Sequence, residues 1–352
     1  MILAYQNVLE RDQVKATIKD VAKKANVSIT TVSRALHDYN DVSPTTKKRI
    51  IQIANEMGYT PNTLAQRLQK QRADTIGLVL PTFEPRFSDP FFSELLAGIG
   101  NKAAELGFDL LVSTRAPGEQ EIETYKKLID GASVDGFIVV RTRVFDPRID
   151  YLIKRGFAFA AFGRSQSDTD FPFVDEDGYY GMQLIAKHLA ALGHTRIGCI
   201  TSNADLNFTR YRINGLKEGL ANHHLFLDEN LIRTGNLTQK SGYEITKELL
   251  QLSNPPTVIV AFNDLMAFGA MSAAQELGLV VGRDLSVTGF DDIPMAEFSH
   301  PTLTTISQPV YRIGGMLCEI LIEKVNGDLK ELPQIVLKPK LMVRRSTGPL
   351  IA

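Results

Sequence analysis

The chain has 352 residues, with 39 Lys+Arg against 40 Asp+Glu, a formal net charge of −1, and 44% hydrophobic and 22% charged residues. Such proportions exclude disordered, collagenous and coiled-coil classes, and the length provides for two or three packed units. Only two cysteines occur, Cys199 and Cys318, which excludes a disulfide scaffold and a multi-cysteine zinc module. Their apolar surroundings (GCI and MLC) predict reduced, buried thiols. No apolar run approaches a membrane span, and the opening MILAYQNVLERDQ lacks the basic start and apolar stretch of a signal peptide. The expectation is a cytoplasmic protein with no membrane partner.

The near-zero charge hides an asymmetry. Residues 17–72 hold ten Lys/Arg and four Asp/Glu, a balance of +6; residues 1–16 cancel, so the remaining 280 residues carry −7. A small basic segment beside a large acidic one is the footprint of a nucleic-acid module joined to something else, or of a solvated basic face. The pattern within the segment decides between them. Thr17-Ile18-Lys19-Asp20 reads as a helix start with a hydroxyl cap and a carboxylate three residues on, and Ile18, Val21, Ala22 and Ala25 form one apolar helix face. Asn26-Val27 ends that helix. Ser28 caps a second, Ile29 to Leu36, with Val32, Ala35 and Leu36 facing inward. Two short helices across a tight turn match the helix-turn-helix geometry, which presents the second helix to the major groove of double-stranded DNA. Its outward residues are Ile29, Thr30, Thr31, Ser33 and Arg34. Hydroxyls suit phosphates or base edges, Ile29 a thymine methyl, and Arg34 guanine O6/N7; Thr17 and Ser28 at the two helix starts complete the expected contact set. A third helix, capped by Ser43 with Pro44 in its first turn, ends at Met57-Gly58 and closes the core with Ile50, Ile53, Ala54 and Met57.

TIKDVAKKANVSITTVSRAL and VSPTTKKRIIQIANEMGYTPNTLAQRL together resemble the head piece of the LacI/GalR family of bacterial transcription regulators. The resemblance is dense over about 55 residues, and the rest of the chain follows the family's order. It implies that Pro61–Leu68 is a hinge helix, too short to be stable alone in water, which orders on the operator. There the leucine matching Leu68 wedges into the minor groove, with Asn62 and Ala65 on the same face. Two departures stand out: sixteen residues precede the first helix, and Ile29 is an apolar choice at a base-reading position.

From Asp74 onward, short β-rich runs alternate with helical stretches. The expected strands are Ile76–Leu80, Leu110–Ser113, Gly136–Val140, Ala158–Phe162, Arg196–Thr201, Thr257–Phe262 and Leu285–Phe290, a pattern of parallel α/β units with a cleft where ligands meet strand C-termini. The fold class expected is therefore a small all-α helix-turn-helix DNA-binding domain followed by an α/β two-subdomain core, which the resemblance makes periplasmic-binding-protein-like. The expected domains are an extension without fixed structure at 1–16, the DNA-binding domain at 17–60 and hinge and linker at 61–73. The effector-binding and dimerisation core follows at 74–346, with a tail at 347–352. Within the core, the N-subdomain is expected at about 74–162 and 294–326, and the C-subdomain at about 163–293 and 327–346.

The ligand residues follow from the same resemblance. Asp89-Pro90-Phe91-Phe92 is similar to a stretch where stacked aromatics hold a pyranose in sugar-binding relatives; the two phenylalanines would otherwise be core packing. Arg164, after Phe162-Gly163, matches an arginine placed on sugar hydroxyls. Arg212 in Arg212-Ile213-Asn214-Gly215 matches an arginine that holds vicinal oxygens bidentately, and Arg210 offers the same chemistry nearby. In Asn263-Asp264 the asparagine caps a helix and Asp264 accepts from ligand hydroxyls. Asp291 or Asp292 reaches the cleft from the next strand end.

Enzyme motifs are absent: there is no GxxxxGK, HExxH, CxxC or GxSxG, and Gly98-x-Gly100-x-x-Ala103 lies in a helical pattern, not after a strand. The six histidines have no metal-ligand spacing, so neither cofactor, metal nor catalytic residue is expected. The resemblance implies a homodimer, or a tetramer, on a pseudo-palindromic operator in the bacterial nucleoid. Its expected role is a repressor of carbohydrate-utilisation genes under allosteric control by a small sugar. The same architecture responding to a nucleobase or nucleoside is the near alternative, and a sugar-binding transport protein or sugar enzyme the distant one.

Overall fold

The computed structural model describes residues 16–36, 39–59, 72–82 and 89–350. The chain divides into two compact units, one up to Arg72 and one from Ala73 onward.

The smaller unit contains α1 (Ile18–Ala25), α2 (Ile29–Leu36) and α3 (Pro44–Glu56). Each start is fixed by a side chain. Asp20 accepts from the Thr17 N–H at 2.9 Å and the Thr17 hydroxyl at 2.7 Å; Ser28 Oγ accepts from Thr31 N–H at 3.0 Å; Ser43 Oγ accepts from Thr46 N–H at 3.3 Å, with Pro44 in the first turn. These caps satisfy backbone donors that a helix leaves orphaned. Asn26 and Gly58, at φ 49° and 62°, stop α1 and follow α3 in the left-handed region. Val21, Ala22, Ala25, Val32, Ala35, Val42, Ile50 and Ala54 form the buried core, with Leu36, Ile53 and Met57 packed partly buried against it.

The larger unit runs β1 (Thr75–Pro81), α4 (Pro90–Glu105), β2 (Asp109–Arg115), α5 (Glu119–Asp130), β3 (Gly136–Val139), α6 (Pro147–Lys154), β4 (Phe159–Phe162), β5 (Phe173–Glu176), α7 (Gly178–Ala191), β6 (Ile197–Thr201), α8 (Asn207–Ala221), β7 (Ile232–Thr234), α9 (Gln239–Leu250), β8 (Val258–Ala261), α10 (Asp264–Glu276), β9 (Ser286–Thr288), α11 (Met295–Phe298), β10 (Thr305–Ser307), α12 (Val310–Asn326), β11 (Gln334–Leu337) and β12 (Lys340–Met342). Two parallel sheets result, ordered β11-β5-β4-β3-β1-β2 and β7-β6-β8-β9, with β10 and β12 an antiparallel pair. Helices cover both faces, so central strands are apolar throughout. In β1, Leu78 faces the cluster holding Leu95 and Leu317, while Val79 faces the one holding Tyr125 and Leu152. Both cysteines are buried free thiols, and no helix of the described residues is long and apolar enough to cross a membrane.

The crossings between the two layers fall later than the strand pattern suggests. β5 and β11 hydrogen-bond into the first sheet, so the chain leaves it after Glu176 and after Leu337, not near 163 and 327. Ile293, Ala296, Leu303 and Ile306 belong to the second core, so the return comes between Ser307 and Val310, not at 294. The cause lies in short strands: β5 reads FVDE, four residues of which two are acids, too brief for a period of two to register.

The Gly98-x-Gly100 pair sits inside α4, where Gly98 serves packing and Gly100 does not. A Cβ on Gly98 would lie 2.1 Å from the Tyr311 carbonyl oxygen of α12, whereas one on Gly100 would meet nothing within 4 Å. Gly98→Ala is therefore expected to destabilise the core by about 1–3 kcal/mol, and Gly100→Ala to be neutral or stabilising by roughly 0.5–1 kcal/mol. Thermal melts of the two variants check this; equal melting temperatures would contradict it.

Candidate functional site

In the smaller unit, Ser28, Ile29, Thr30 and Arg34 are exposed and Thr31 and Ser33 half-buried. Ile29 keeps 44% of its surface in solvent, an apolar tip aimed outward. Several of the expected contact residues already have partners within the unit. Arg34 Nε pairs with Asp41 Oδ2 at 2.7 Å and its guanidinium lies 4.9 Å from the Tyr39 ring centre; the Ser28 and Thr31 hydroxyls bond each other at 2.8 Å. An exposed pair such as Arg34–Asp41 is worth at most about 1 kcal/mol, so it costs little to break. Asn62, Ala65 and Leu68 lie outside the described residues.

In the larger unit, strand ends from both sheets surround a cavity with about 620 Å³ of empty space, its open mouth included. Asp89, Phe91, Phe92, Arg164, Arg212 and Asp291 line it, six of the seven residues expected there. Asp89 caps α4 by accepting from Phe91 N–H at 3.2 Å and pairs with Arg141 Nη2 at 2.8 Å; burial pushes its carboxyl up, and Arg141 opposes the shift. Phe91 stacks on Phe162 with ring centres 5.8 Å apart. Phe92 is wholly buried and offers a ring face to the Arg141 guanidinium at 4.8 Å. Arg141 itself is held in the left-handed region at φ 50°, a strained position for a residue with a Cβ. Below it the fully buried Arg148 donates to the Arg141 carbonyl at 3.1 Å while pairing with Asp146 at 2.7 Å and Glu121 at 3.0 Å. That network fixes the loop carrying Arg141.

Arg164 donates to Asp175 Oδ2 at 2.7 Å and lies 3.7 Å from the Tyr211 ring centre. Arg212 is the most enclosed of the three arginines lining the cavity. Its guanidinium is 3.5 Å from the Phe290 ring centre and 4.6 Å from that of Phe208, donates to the Phe262 carbonyl, and pairs with Glu176 at 3.0 Å and Asp291 at 3.8 Å. Asp291, at φ 121°, accepts from Gln308 Nε2 at 2.6 Å. Burial pushes the Asp175 carboxyl well up, helped by Glu176 and opposed by Arg164; Asp291 is likewise raised by burial against the pull of Arg212. Across the mouth, Asn207 donates from its amide side chain to the Arg164 carbonyl at 2.7 Å, and Val144 N–H to the Asp205 carbonyl at 2.8 Å.

Asp264 is the exception. Its carboxylate turns away from the cavity and accepts from Thr305 Oγ1 at 2.5 Å and Ile293 N–H at 2.8 Å, with no exposed surface. Asn263 lines the cavity instead while capping α10, accepting from Met266 N–H at 3.0 Å. Arg141, Asp175, Glu176, Phe208 and Gln308 are among the lining residues that no sequence motif marks. Arg141 and the acid pair follow or end strands β3 and β5, so strand-end position was the usable signal.

Comparison with known proteins places this geometry. The description "Bacterial regulatory proteins, lacI family" matches residues 17–62, and "Periplasmic binding protein-like domain" matches residues 186–347. Over 340 residues the chain is 35% identical to the HTH-type transcriptional regulator DegA of Bacillus subtilis (strain 168), covering 96% of this chain and 99% of that one. Among solved structures, the lac repressor dimer bound to operator and the anti-inducer ONPF is similar at a TM-score of 0.83 and 27% identity, over 95% of this chain and 99% of that one. The transcriptional regulator CelR–cellobiose complex is similar at a TM-score of 0.73 and 29% identity, over 94% and 99%.

The burial of Asp264 has a consequence for stability. Burial raises its carboxyl to about 7, so the folded state keeps this proton to higher pH than the unfolded chain, where an aspartate titrates near about 4. Stability therefore falls as pH rises from about 4 to about 7. Asp264→Asn can keep both hydrogen bonds, because the Thr305 hydroxyl accepts as well as donates. Between roughly pH 5 and pH 8 the wild-type melting temperature is expected to fall relative to that of Asp264→Asn; parallel curves would contradict the assignment.

Proposed function

The chain belongs to the lacI family of bacterial regulatory proteins, DNA-binding transcriptional regulators and not enzymes, and on that premise we propose that it is a repressor of carbohydrate-utilisation genes whose operator affinity is set by a small sugar in the cleft of its core. The cleft carries the reading. Arginine–carboxylate pairs beside phenylalanine faces suit a ligand with hydroxyl edges and C–H faces, since hydroxyls bond planar charged groups and C–H bonds pack on rings. Arg164, Arg212, Asp291 and Asn263 supply the polar contacts and Phe91 an apolar wall. A nucleobase or nucleoside, which stacks on the same aromatic faces, is the competing ligand; the three arginine–carboxylate pairs around the cavity suit the many hydroxyls of a sugar and favour it.

On the DNA side, Ile29, Thr30, Thr31, Ser33 and Arg34 of α2 read the major groove, Thr17 and Ser28 approach the phosphates, and Leu68 with Asn62 and Ala65 engages the minor groove. A homodimer matches its two-fold axis to a pseudo-palindromic operator, and the similar lac repressor structure is of a dimer on its operator. Ligand in the cleft shifts operator affinity through the segment between the units, a coupling of typically 1–3 kcal/mol.

Fluorescence anisotropy with an operator selected from random duplexes tests the reading. At least one neutral mono- or disaccharide is expected to change operator affinity by about 5- to 150-fold, while nucleobases and nucleosides leave it unchanged; a response to those alone would overturn the sugar assignment. Arg212→Ala is expected to bind operator like wild type and lose the response. Leu68→Ala is expected to weaken operator binding by on the order of tenfold or more without altering calorimetric ligand affinity; unchanged operator affinity would remove Leu68 from the interface.

A further inference from the structure

Sugars that reach a cytoplasmic regulator come in two electrostatic kinds, neutral and anionic, the latter phosphorylated or bearing a carboxylate. We infer that this cleft takes an uncharged ligand and turns anions away, because each of its arginines is neutralised from within. The inference rests on the reading of the cleft as the effector site and specifies what that site accepts.

The charges are matched one to one. Arg141 is paired with Asp89 at 2.8 Å, Arg164 with Asp175 at 2.7 Å and Arg212 with Glu176 at 3.0 Å. Asp291, 3.8 Å from Arg212, is a fourth carboxylate against three guanidinia among the described lining residues. With all four ionised, no positive charge is left over for a phosphate among the described lining residues. α4 begins at the cavity, but the Asp89 carboxylate already caps its positive end. A phosphate entering this ring would meet carboxylates within a few ångströms in a partly enclosed site, where like-charge repulsion is stronger than in bulk water.

The uncommitted hydrogen-bonding groups point the same way. Arg164 Nη2, Arg212 Nε and Gln308 Oε1 are buried with no partner, and all three residues line the cavity. They ask a ligand for two acceptors and one donor. Sugar hydroxyls both accept and donate, so they satisfy all three; a carboxylate or a doubly ionised phosphate ester group only accepts and would leave Gln308 Oε1 orphaned. Gln308 is thus a specificity-determining residue, held in place by its donation to Asp291.

The test uses inorganic phosphate, titrated calorimetrically into the full-length protein. Wild type and Arg212→Ala are expected to give the same heats, since any phosphate taken by the basic head is common to both. Glu176→Gln and Asp175→Asn, each keeping an oxygen that accepts from its arginine, are expected to gain saturable binding at least about tenfold tighter than wild type. Adding Arg212→Ala to Glu176→Gln should abolish the gain. Phosphate binding by wild type that Arg212→Ala removes would overturn the inference, as would two folded single variants with no gain. Circular dichroism melts establish folding for each, and if both fail to fold the wild-type comparison decides alone. The operator response to neutral sugars involves no anion, so its failure would count against the effector site and not against the charge matching.

Discussion

A guanidinium enclosed between two protein layers cannot be left alone: stripping its water costs several kcal/mol, roughly, and only partners on every side repay it. Arg212 stands in that position. It projects from α8 on the second sheet's side, reaches Glu176 at the end of β5 in the first sheet, and meets the Phe262 carbonyl, Asp291 and two phenylalanine faces on the way. One side chain thereby joins the C-terminal ends of strands from both sheets. The geometry of the cleft follows from satisfying it.

The same rule governs the other two arginines, and it explains where the backbone departs from regular structure. Arg141 and Asp291 hold left-handed backbone at φ 50° and 121°, and both are pinned by other residues: Arg141 through the buried Arg148 network, Asp291 through Gln308. Strain of this kind persists only where surroundings over-determine it. On the scale of the whole chain, charge is divided instead of paired, with +6 on residues 17–72 and −7 on the body. An acidic body is repelled by DNA, so attraction to phosphate is confined to the basic segment.

Helices and long apolar strands were legible from residue pattern alone, because burial of one face imposes a period. The head's three helices carried both signals at once, caps and apolar stripe, and their boundaries match to within a residue or two. Short strands escaped: FVDE at β5 has no room for a period, and missing it displaced the subdomain crossings and hid Asp175 and Glu176 from the site. Asp264 failed for a different reason. Neighbouring residues at a helix start point in different directions, and nothing local in Asn263-Asp264 says which faces the cleft; the answer depends on Thr305 and Ile293, 41 and 29 residues away. Arginines at strand ends were legible, but their internal partners, distant in the chain, were not.

The proposed coupling between a ligand in the cleft and DNA on the head is measurable from either end by thermodynamic linkage. The direct measurement is the calorimetric affinity of the effector sugar for free protein and for protein saturated with operator. The two dissociation constants are predicted to differ by the same factor by which the sugar changes operator affinity. Equal constants, with a sugar that nonetheless binds through Arg212, would contradict the coupling at the centre of the account.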